Sequence, residues 1–365
     1  RGIPREGLMG KGPDSLVRDE VRALAAYHVA PAEGMVKLDA MENPYRLPPE
    51  LAAKMGERLA HVAVNRYPDP SGERLKRRIR ETMGIDPSLE ILLGNGSDEI
   101  LQLISLVLAK PGATVLAPEP SFVVYRLAAI AAGMRYVGLA LRDDFTLDAD
   151  SLLAAIRRER PALTWIAYPN NPTGNLFPRD AILAAVRASP GVVAVDEAYY
   201  AFSGGASLLD EVGKHPNLVL VRTVSKLGLA GLRVGVAIAS PDWIRELEKL
   251  RMPYNVNSLS AAAADLLLEH REVFERQTAA IVAERARLER ALDAMPRARR
   301  FPSAANFILV RMPDGPRAFE ALRERGILVR TFHGSHPLLA NCLRLTVGTP
   351  DENTRMLEAL ATALG

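Results

Sequence analysis

Short apolar runs alternate with longer helical periods through the middle of this 365-residue chain. Several of the runs are continuously apolar, which is typical of strands covered on both faces. The predicted strands are 90–93, 114–117, 134–138, 163–168, 192–195, 218–222 and 234–238. Predicted helices between them include 98–108, 122–132, 150–159 and 179–188. This order predicts an α/β fold whose mostly parallel sheet of seven strands lies between helices.

The pattern changes after residue 240. One long helix is predicted over 260–295, followed by strands at 306–310, 327–330 and 342–346 and by helices at 315–325 and from residue 350. Before the sheet, we predict a loose arm over 1–14, a helix over 14–26 and a short strand at 36–39. We therefore expect an arm and part of a small domain over 1–60, a large domain over 61–255, and a small α+β domain over 256–365.

Composition excludes several classes of protein. Hydrophobic residues make up 48% of the chain, which is enough for a sizeable core, and the net charge is only +3. The chain has no basic block with interleaved aromatic residues of the kind that binds nucleic acid. No apolar run approaches the roughly 20 residues needed to cross a bilayer. The single cysteine, Cys342, excludes internal disulfides and fits a reducing compartment. The six histidines show no metal-ligand spacing, so we expect no metal site. From the cysteine content and the lack of a membrane span we expect a cytoplasmic protein.

Three charged residues lie at the ends of predicted strands. Asp196 ends the run 192–195, Lys226 follows the run 218–222, and Arg233 comes seven residues after Lys226. Carboxyl ends of parallel strands form the ligand-binding edge of such sheets. A lysine for a Schiff base, an aspartate for a pyridine nitrogen and an arginine for a phosphate are what pyridoxal phosphate needs. Taken one at a time, each has another interpretation: Lys226 as a surface lysine, Asp196 as a helix cap, and Arg233 as a member of a structural ion pair.

Two loops also follow strands. GNGSDE at 94–99 opens a helix, whose N-terminus favours an anion, although a tight turn with an ordinary N-cap explains it equally well. YPNNPTG at 168–174 could direct an amide over the strand ends, or it could be a purely structural turn. Tyr199, three residues after Asp196, could reach a phenolic oxygen of the cofactor or belong to the core.

Together these motifs resemble the fold type I pyridoxal-phosphate aminotransferases and, within them, the histidinol-phosphate aminotransferases. The resemblance covers about residues 21–364. Five segments narrow the resemblance to the histidinol-phosphate aminotransferases: NRYPDP at 65–70, DEAYYAF at 196–202, PYNVN at 253–257, GILVR at 326–330 and NCLRLTVGT at 341–349.

The resemblance implies a role for each matching residue. Lys226, Asp196 and Tyr199 would be catalytic. Lys226 would form the Schiff base, Asp196 would pair with the ring nitrogen, and Tyr199 would bind the ring oxygen with Asn171. The expected phosphate contacts are Gly96, Ser97, Thr223, Ser225, Arg233 and, from the other subunit of a homodimer, Tyr67. The expected substrate contacts are Arg344, Arg330, Tyr27 and Asn43.

The implied reaction is transamination between L-histidinol phosphate and 2-oxoglutarate. The chain departs from the family pattern in two places: Phe122 replaces the tyrosine that usually stacks on the ring, and the interval from Lys226 to Arg233 is one residue shorter. Alternatives on the same scaffold are an aminotransferase of aromatic or other amino acids and a phosphothreonine-type decarboxylase. An anion-binding α/β protein without turnover is the alternative from another class.

Overall fold

The structure is a computed structural model that describes residues 12–26 and 30–364. Its strands are β1 (Val36–Leu38), β2 (Glu90–Asn95), β3 (Thr114–Glu119), β4 (Arg135–Ala140), β5 (Leu163–Ala167), β6 (Val192–Asp196), β7 (Leu218–Thr223), β8 (Val234–Ala239), β9 (Arg299–Arg300), β10 (Phe307–Arg311), β11 (Ile327–Thr331) and β12 (Cys342–Thr346). Its helices are α1 (Pro13–Leu16), α2 (Asp19–Arg22), α3 (Pro49–Ala60), α4 (Glu73–Met83), α5 (Ser97–Val107), α6 (Val124–Ala131), α7 (Ala149–Glu159), α8 (Arg179–Ala188), α9 (Pro241–Glu248), α10 (Ser258–Glu269), α11 (Arg271–Asp293), α12 (Gly315–Glu324) and α13 (Pro350–Leu364).

The large sheet has the strand order β2-β8-β7-β6-β5-β3-β4. Strand β8 is antiparallel to both of its neighbours, whereas the other pairings are parallel. All residues of β5 to β8 are buried, because helices cover both faces of the sheet. Along β6, Val193 and Val195 pack into one apolar core while Val192 and Ala194 pack into the other. The predicted mostly parallel sheet of seven strands is confirmed.

A second sheet has the order β1-β11-β12-β10-β9. Strand β1 pairs in parallel with β11, so the segment before α3 completes this small sheet. The predicted domain boundary near residue 255 stays a prediction. Helix α10, which follows it, packs against α3 and α4.

The predicted long helix over 260–295 is wrong, because two helices occupy this region. His270 lies between them with φ −100° and ψ 41°, outside helical geometry. Phe274, early in α11, packs into the large-domain core, whereas Leu288 and Leu292 near its end pack into the small-domain core. The break therefore separates a helix that packs on the large domain from one that connects the two cores.

The predicted helix over 14–26 is also wrong. It is replaced by the two four-residue helices α1 and α2, separated by an extended Val17. Neither helix buries a residue, and a short helix without a packed face is marginal in water. The predicted arm over 1–14 lies mostly outside the described residues. Among the residues that the structure does describe, no helix is both long and apolar enough to cross a membrane.

Candidate active site

A cleft lies at the carboxyl ends of the large sheet's parallel strands, where the sequence predicted it. Asp196 is the last residue of β6, and Lys226 lies in the 3-10 turn Ser225–Leu227 that follows β7. The predicted residues that line this one cleft are Ser97, Phe122, Asn171, Asp196, Tyr199, Lys226 and Arg233. The fold thus brings together residues that lie up to 136 positions apart in the chain, from 97 to 233.

Asp196 is a buried carboxylate with a defined partner on each oxygen. Its Oδ2 accepts a hydrogen bond of 2.9 Å from the Tyr125 hydroxyl, and its Oδ1 accepts one of 3.1 Å from the backbone N–H of Ala198. Burial raises the pKa of Asp196 to about 6, although both hydrogen bonds act in the opposite direction. A protonated pyridine nitrogen would favour the ionised form further.

Lys226 projects its amine into the cleft. Its Nζ donates a hydrogen bond of 3.2 Å to the carbonyl oxygen of Ala40 and lies 5.8 Å from the centre of the Tyr199 ring. Burial lowers the pKa of Lys226 to about 8, and the positive charge of Arg344 lowers it further. The neutral fraction of the amine near neutral pH is therefore much larger than that of a free lysine, as a nucleophile or base requires.

The loop between β2 and α5 faces Arg233 at one end of the cleft. Gly96 has φ 79°, which strains any other residue, and a Cβ there would displace the Arg233 guanidinium. Ser97 opens α5, and an 11-residue helix presents unpaired N–H groups at its start. Arg233 is half-exposed, with its Nη2 3.4 Å from the Asp98 carboxylate.

Two hydroxyls lie at the carboxyl end of β7, close in sequence to the lysine. The Thr223 and Ser225 hydroxyl oxygens lie 2.8 Å apart, and both residues are buried. Together with the β2–α5 loop and Arg233, they supply the hydroxyl, N–H and guanidinium donors that a phosphate takes.

Arg344 connects the cleft to the small sheet. Its Nη1 donates a hydrogen bond of 2.7 Å to Asn171 Oδ1, and its Nη2 donates one of 2.6 Å to the carbonyl oxygen of Asp39. Asn171 Nδ2 in turn donates to the Tyr199 hydroxyl at 3.2 Å. Arg330 is directly opposite Arg344 in the antiparallel pairing of β11 with β12, and directly opposed residues point to the same face of a sheet.

Two further predicted residues, Tyr67 and Asn43, also lie outside the lining of the cleft. Tyr67 is 80% exposed and stacks on Tyr254, with ring centres 4.6 Å apart. The amide of Asn43 donates to the Leu227 carbonyl oxygen and to Gln277 Oε1, both at 2.9 Å, so it supports the turn that carries Lys226. Tyr27 lies outside the described residues.

Sequence reasoning missed Tyr125, Asp98 and Met41, which also line the cleft. Tyr125 occupies the apolar stripe of α6, where an aromatic residue predicts core packing. Asp98 was interpreted only as part of a helix start. Met41 has φ 52°, and nothing in the sequence pattern signals a left-handed residue there.

The cleft residues fit pyridoxal phosphate. Phosphate donors lie at one end, a buried carboxylate suited to a pyridinium is present, and an amine of lowered pKa lines the same cleft. The Gly96 position supports this fit, because a side chain there would displace Arg233. Fold and cleft therefore define a pyridoxal-phosphate transferase of fold type I.

Comparison with known proteins gives the family. The family model described as aminotransferase class I and II matches residues 33–360. The chain belongs to this family, which depends on pyridoxal phosphate, and it is therefore an aminotransferase.

Individual relatives are similar over nearly their full length. A histidinol-phosphate aminotransferase of Chromobacterium violaceum is 55% identical over 345 residues, covering 94% of this chain and 97% of that protein. Histidinol-phosphate aminotransferase 1 of Ralstonia nicotianae is 51% identical, covering 98% and 96%. The crystal structure of histidinol-phosphate aminotransferase from Sinorhizobium meliloti in complex with pyridoxal 5'-phosphate superposes with a TM-score of 0.85 at 25% identity, covering 96% and 98%.

Proposed function

We propose that this enzyme transfers the amino group of L-histidinol phosphate to 2-oxoglutarate, giving imidazole-acetol phosphate and L-glutamate in histidine biosynthesis. The observation that carries the proposal is the pair Arg330 and Arg344, which lie opposite each other on neighbouring strands, with Arg344 bonded to Asn171 of the cleft. Two guanidinium groups suit the double charge of a phosphate monoester. The names of the similar relatives support the same substrate.

Bound pyridoxal phosphate supplies an electron sink that stabilises negative charge at the substrate Cα. We infer that Lys226 Nζ holds the cofactor in the resting enzyme and then carries the proton that leaves Cα. Asp196 pairs with the ring nitrogen, and Phe122 packs against the ring. Tyr199 and Asn171 bind the phenolic oxygen of the cofactor ring.

The remaining residues bind anions. We assign the cofactor's phosphate to Gly96, Ser97, Thr223, Ser225 and Arg233. Arg344 binds a carboxylate of glutamate in one half-reaction and the phosphate of histidinol phosphate in the other. Arg330 contributes its charge mainly to the phosphate.

We also propose a cytoplasmic homodimer. Val64, Tyr67, Met252 and Tyr254 are exposed apolar or aromatic side chains, with exposures of 74%, 80%, 68% and 40%. Tyr67 and Tyr254 stack on each other, and contiguous exposed apolar surface is typical of a face that another protein covers. In the dimer, Tyr67 of the partner subunit would complete the phosphate site, and the substrate contacts expected of Tyr27 and Asn43 stay predictions.

The test is steady-state turnover with 2-oxoglutarate and three amino donors: L-histidinol phosphate, L-histidinol and L-phenylalanine. We expect kcat/KM for histidinol phosphate to exceed that for histidinol by at least about 100-fold, since a buried site built for a charged partner rejects a ligand that lacks it. A preference for phenylalanine would support an aromatic aminotransferase. Release of CO₂ from phosphothreonine would support the decarboxylase.

An Arg330→Gln variant tests the assignment of the phosphate. We expect kcat/KM for histidinol phosphate to fall by about 10- to 100-fold, because a charge-assisted hydrogen bond is lost. The loss for glutamate should be several-fold smaller, since Arg344 alone can pair with a single carboxylate. Equal losses for the two substrates would remove Arg330 from phosphate recognition.

A further inference from the structure

Tyr125 contacts the carboxylate that we assign to the cofactor's ring nitrogen. The side chain is fully buried, and its hydroxyl donates to Asp196 Oδ2 at 2.9 Å. The other oxygen, Oδ1, accepts the backbone N–H of Ala198 at 3.1 Å. Both oxygens of Asp196 are thus fixed by donors from two different elements, α6 and the segment after β6.

The ring of Tyr125 is itself held on two sides. It stacks on Trp165 of β5 with ring centres 5.1 Å apart and an interplanar angle of 5°. Phe122 meets it edge-on, with centres 5.8 Å apart and an angle of 89°. Trp165 is fully buried in the middle of the sheet. The hydroxyl therefore has little freedom to move away from Asp196.

We propose that Tyr125 is a positioning residue, whose hydroxyl fixes Asp196 Oδ2 and keeps the carboxylate ionised for the ring nitrogen of pyridoxal phosphate. The inference rests on the role proposed above for Asp196. It assigns a function to a residue that otherwise belongs to the apolar stripe of α6.

The chemistry of the pair supports this role. Burial and the Asp196 charge raise the pKa of Tyr125, so the phenol stays neutral and can only donate to the carboxylate. A hydrogen bond to the charged form lowers the pKa of a carboxyl, and the Tyr125 bond acts in this direction on Asp196. The other titratable groups near Asp196 or in its cleft are Asp98, Glu197, Tyr199, Lys226 and Arg233.

The matched variants are Tyr125→Phe and Tyr136→Phe. The first removes one hydroxyl and leaves the stack on Trp165 in place. The second is a control, because Tyr136 is also largely enclosed and bonds a carboxylate, Glu119, but lines a different cavity beside β4. Thermal unfolding of both cofactor-free variants shows whether either change affects the fold.

The experiment measures the affinity of cofactor-free protein for pyridoxal phosphate and for its 1-deaza analogue, in which C–H replaces the ring nitrogen, between pH 5.5 and 8. We expect Tyr125→Phe to weaken binding of pyridoxal phosphate by about tenfold at pH 7 and to leave binding of the analogue nearly unchanged. Because loss of the donor raises the pKa of Asp196, the defect should grow as the pH falls. Tyr136→Phe should behave as the unmodified protein.

An equal loss for both ligands would make Tyr125 a merely structural residue and overturn the inference, as would no loss at all. If the unmodified protein bound the two ligands equally, the role of Asp196 itself would be wrong and the inference would fall with it. Neither result depends on which amino donor the enzyme uses. A failure of this inference is therefore distinguishable from a failure of the proposed substrate.

Discussion

A Lys226→Ala variant is expected to lose transamination with both partners by about 10⁴-fold, the upper range of positioned acid-base catalysis. The amine lies in the cleft with its pKa lowered to about 8 by burial, which gives it the neutral fraction that attack and proton transfer need. No other lysine lines the cleft, so no side chain of this kind among the described residues can replace it. The measurement is the rate of each half-reaction at saturating substrate.

Two controls separate chemistry from charge. Lys226→Arg keeps the positive charge but should be nearly as inactive as the alanine variant, since a guanidinium stays protonated at any working pH. Lys214→Ala removes an exposed lysine whose Nζ lies 3.6 Å from the Glu211 carboxylate, and it should leave turnover unchanged. Turnover of Lys226→Ala within tenfold of the unmodified enzyme would contradict the proposed mechanism.

Glu197→Gln is expected to lower the free energy of unfolding by about 3–5 kcal/mol, the usual cost of breaking a buried ion pair on one side. Glu197 Oε2 accepts hydrogen bonds from Arg222 Nε at 3.0 Å and Nη2 at 2.8 Å. The two residues are 0% and 3% exposed, and Arg222 lies over the Tyr200 ring at 4.0 Å. The amide would leave the buried guanidinium without its counter-charge.

Denaturant or thermal unfolding of the cofactor-free protein measures this loss. The matched control is Glu246→Gln, which breaks a surface pair with Lys249 at 2.7 Å and should cost less than about 1 kcal/mol. Because Glu197 follows Asp196 and Arg222 precedes Thr223, the buried pair also supports two cleft residues. Equal effects of the two substitutions would show that the Glu197–Arg222 pair contributes no more than a surface pair.

The large sheet was predictable because its strands are continuous apolar runs that end in polar residues. The break at His270 was not, because the apolar periodicity continues through it and only packing on two different cores separates α10 from α11. Helix propensity likewise predicted one helix over 14–26, although neither of the two short helices there buries a residue. Local patterns thus gave strand positions well and helix limits less well.

The predictable part of the cleft consists of the charged residues that lie at strand ends. Asp196, Lys226 and Arg233 do so, and the structure places them in one cleft. Tyr125 could not be found, since an aromatic residue on a buried helix face has the same sequence signal whether its hydroxyl is paired or not. The contact of Asn43 with Leu227 depends on a chain crossing between residues 184 positions apart, which no local pattern contains.

The visible absorbance of the cofactor-loaded enzyme during a single half-reaction tests the central claim most directly. L-histidinol phosphate, added without any oxo acid, should abolish the absorbance of the resting enzyme, and 2-oxoglutarate added afterwards should restore it. An unchanged spectrum with histidinol phosphate, together with a full response to another amino acid, would contradict the proposed substrate.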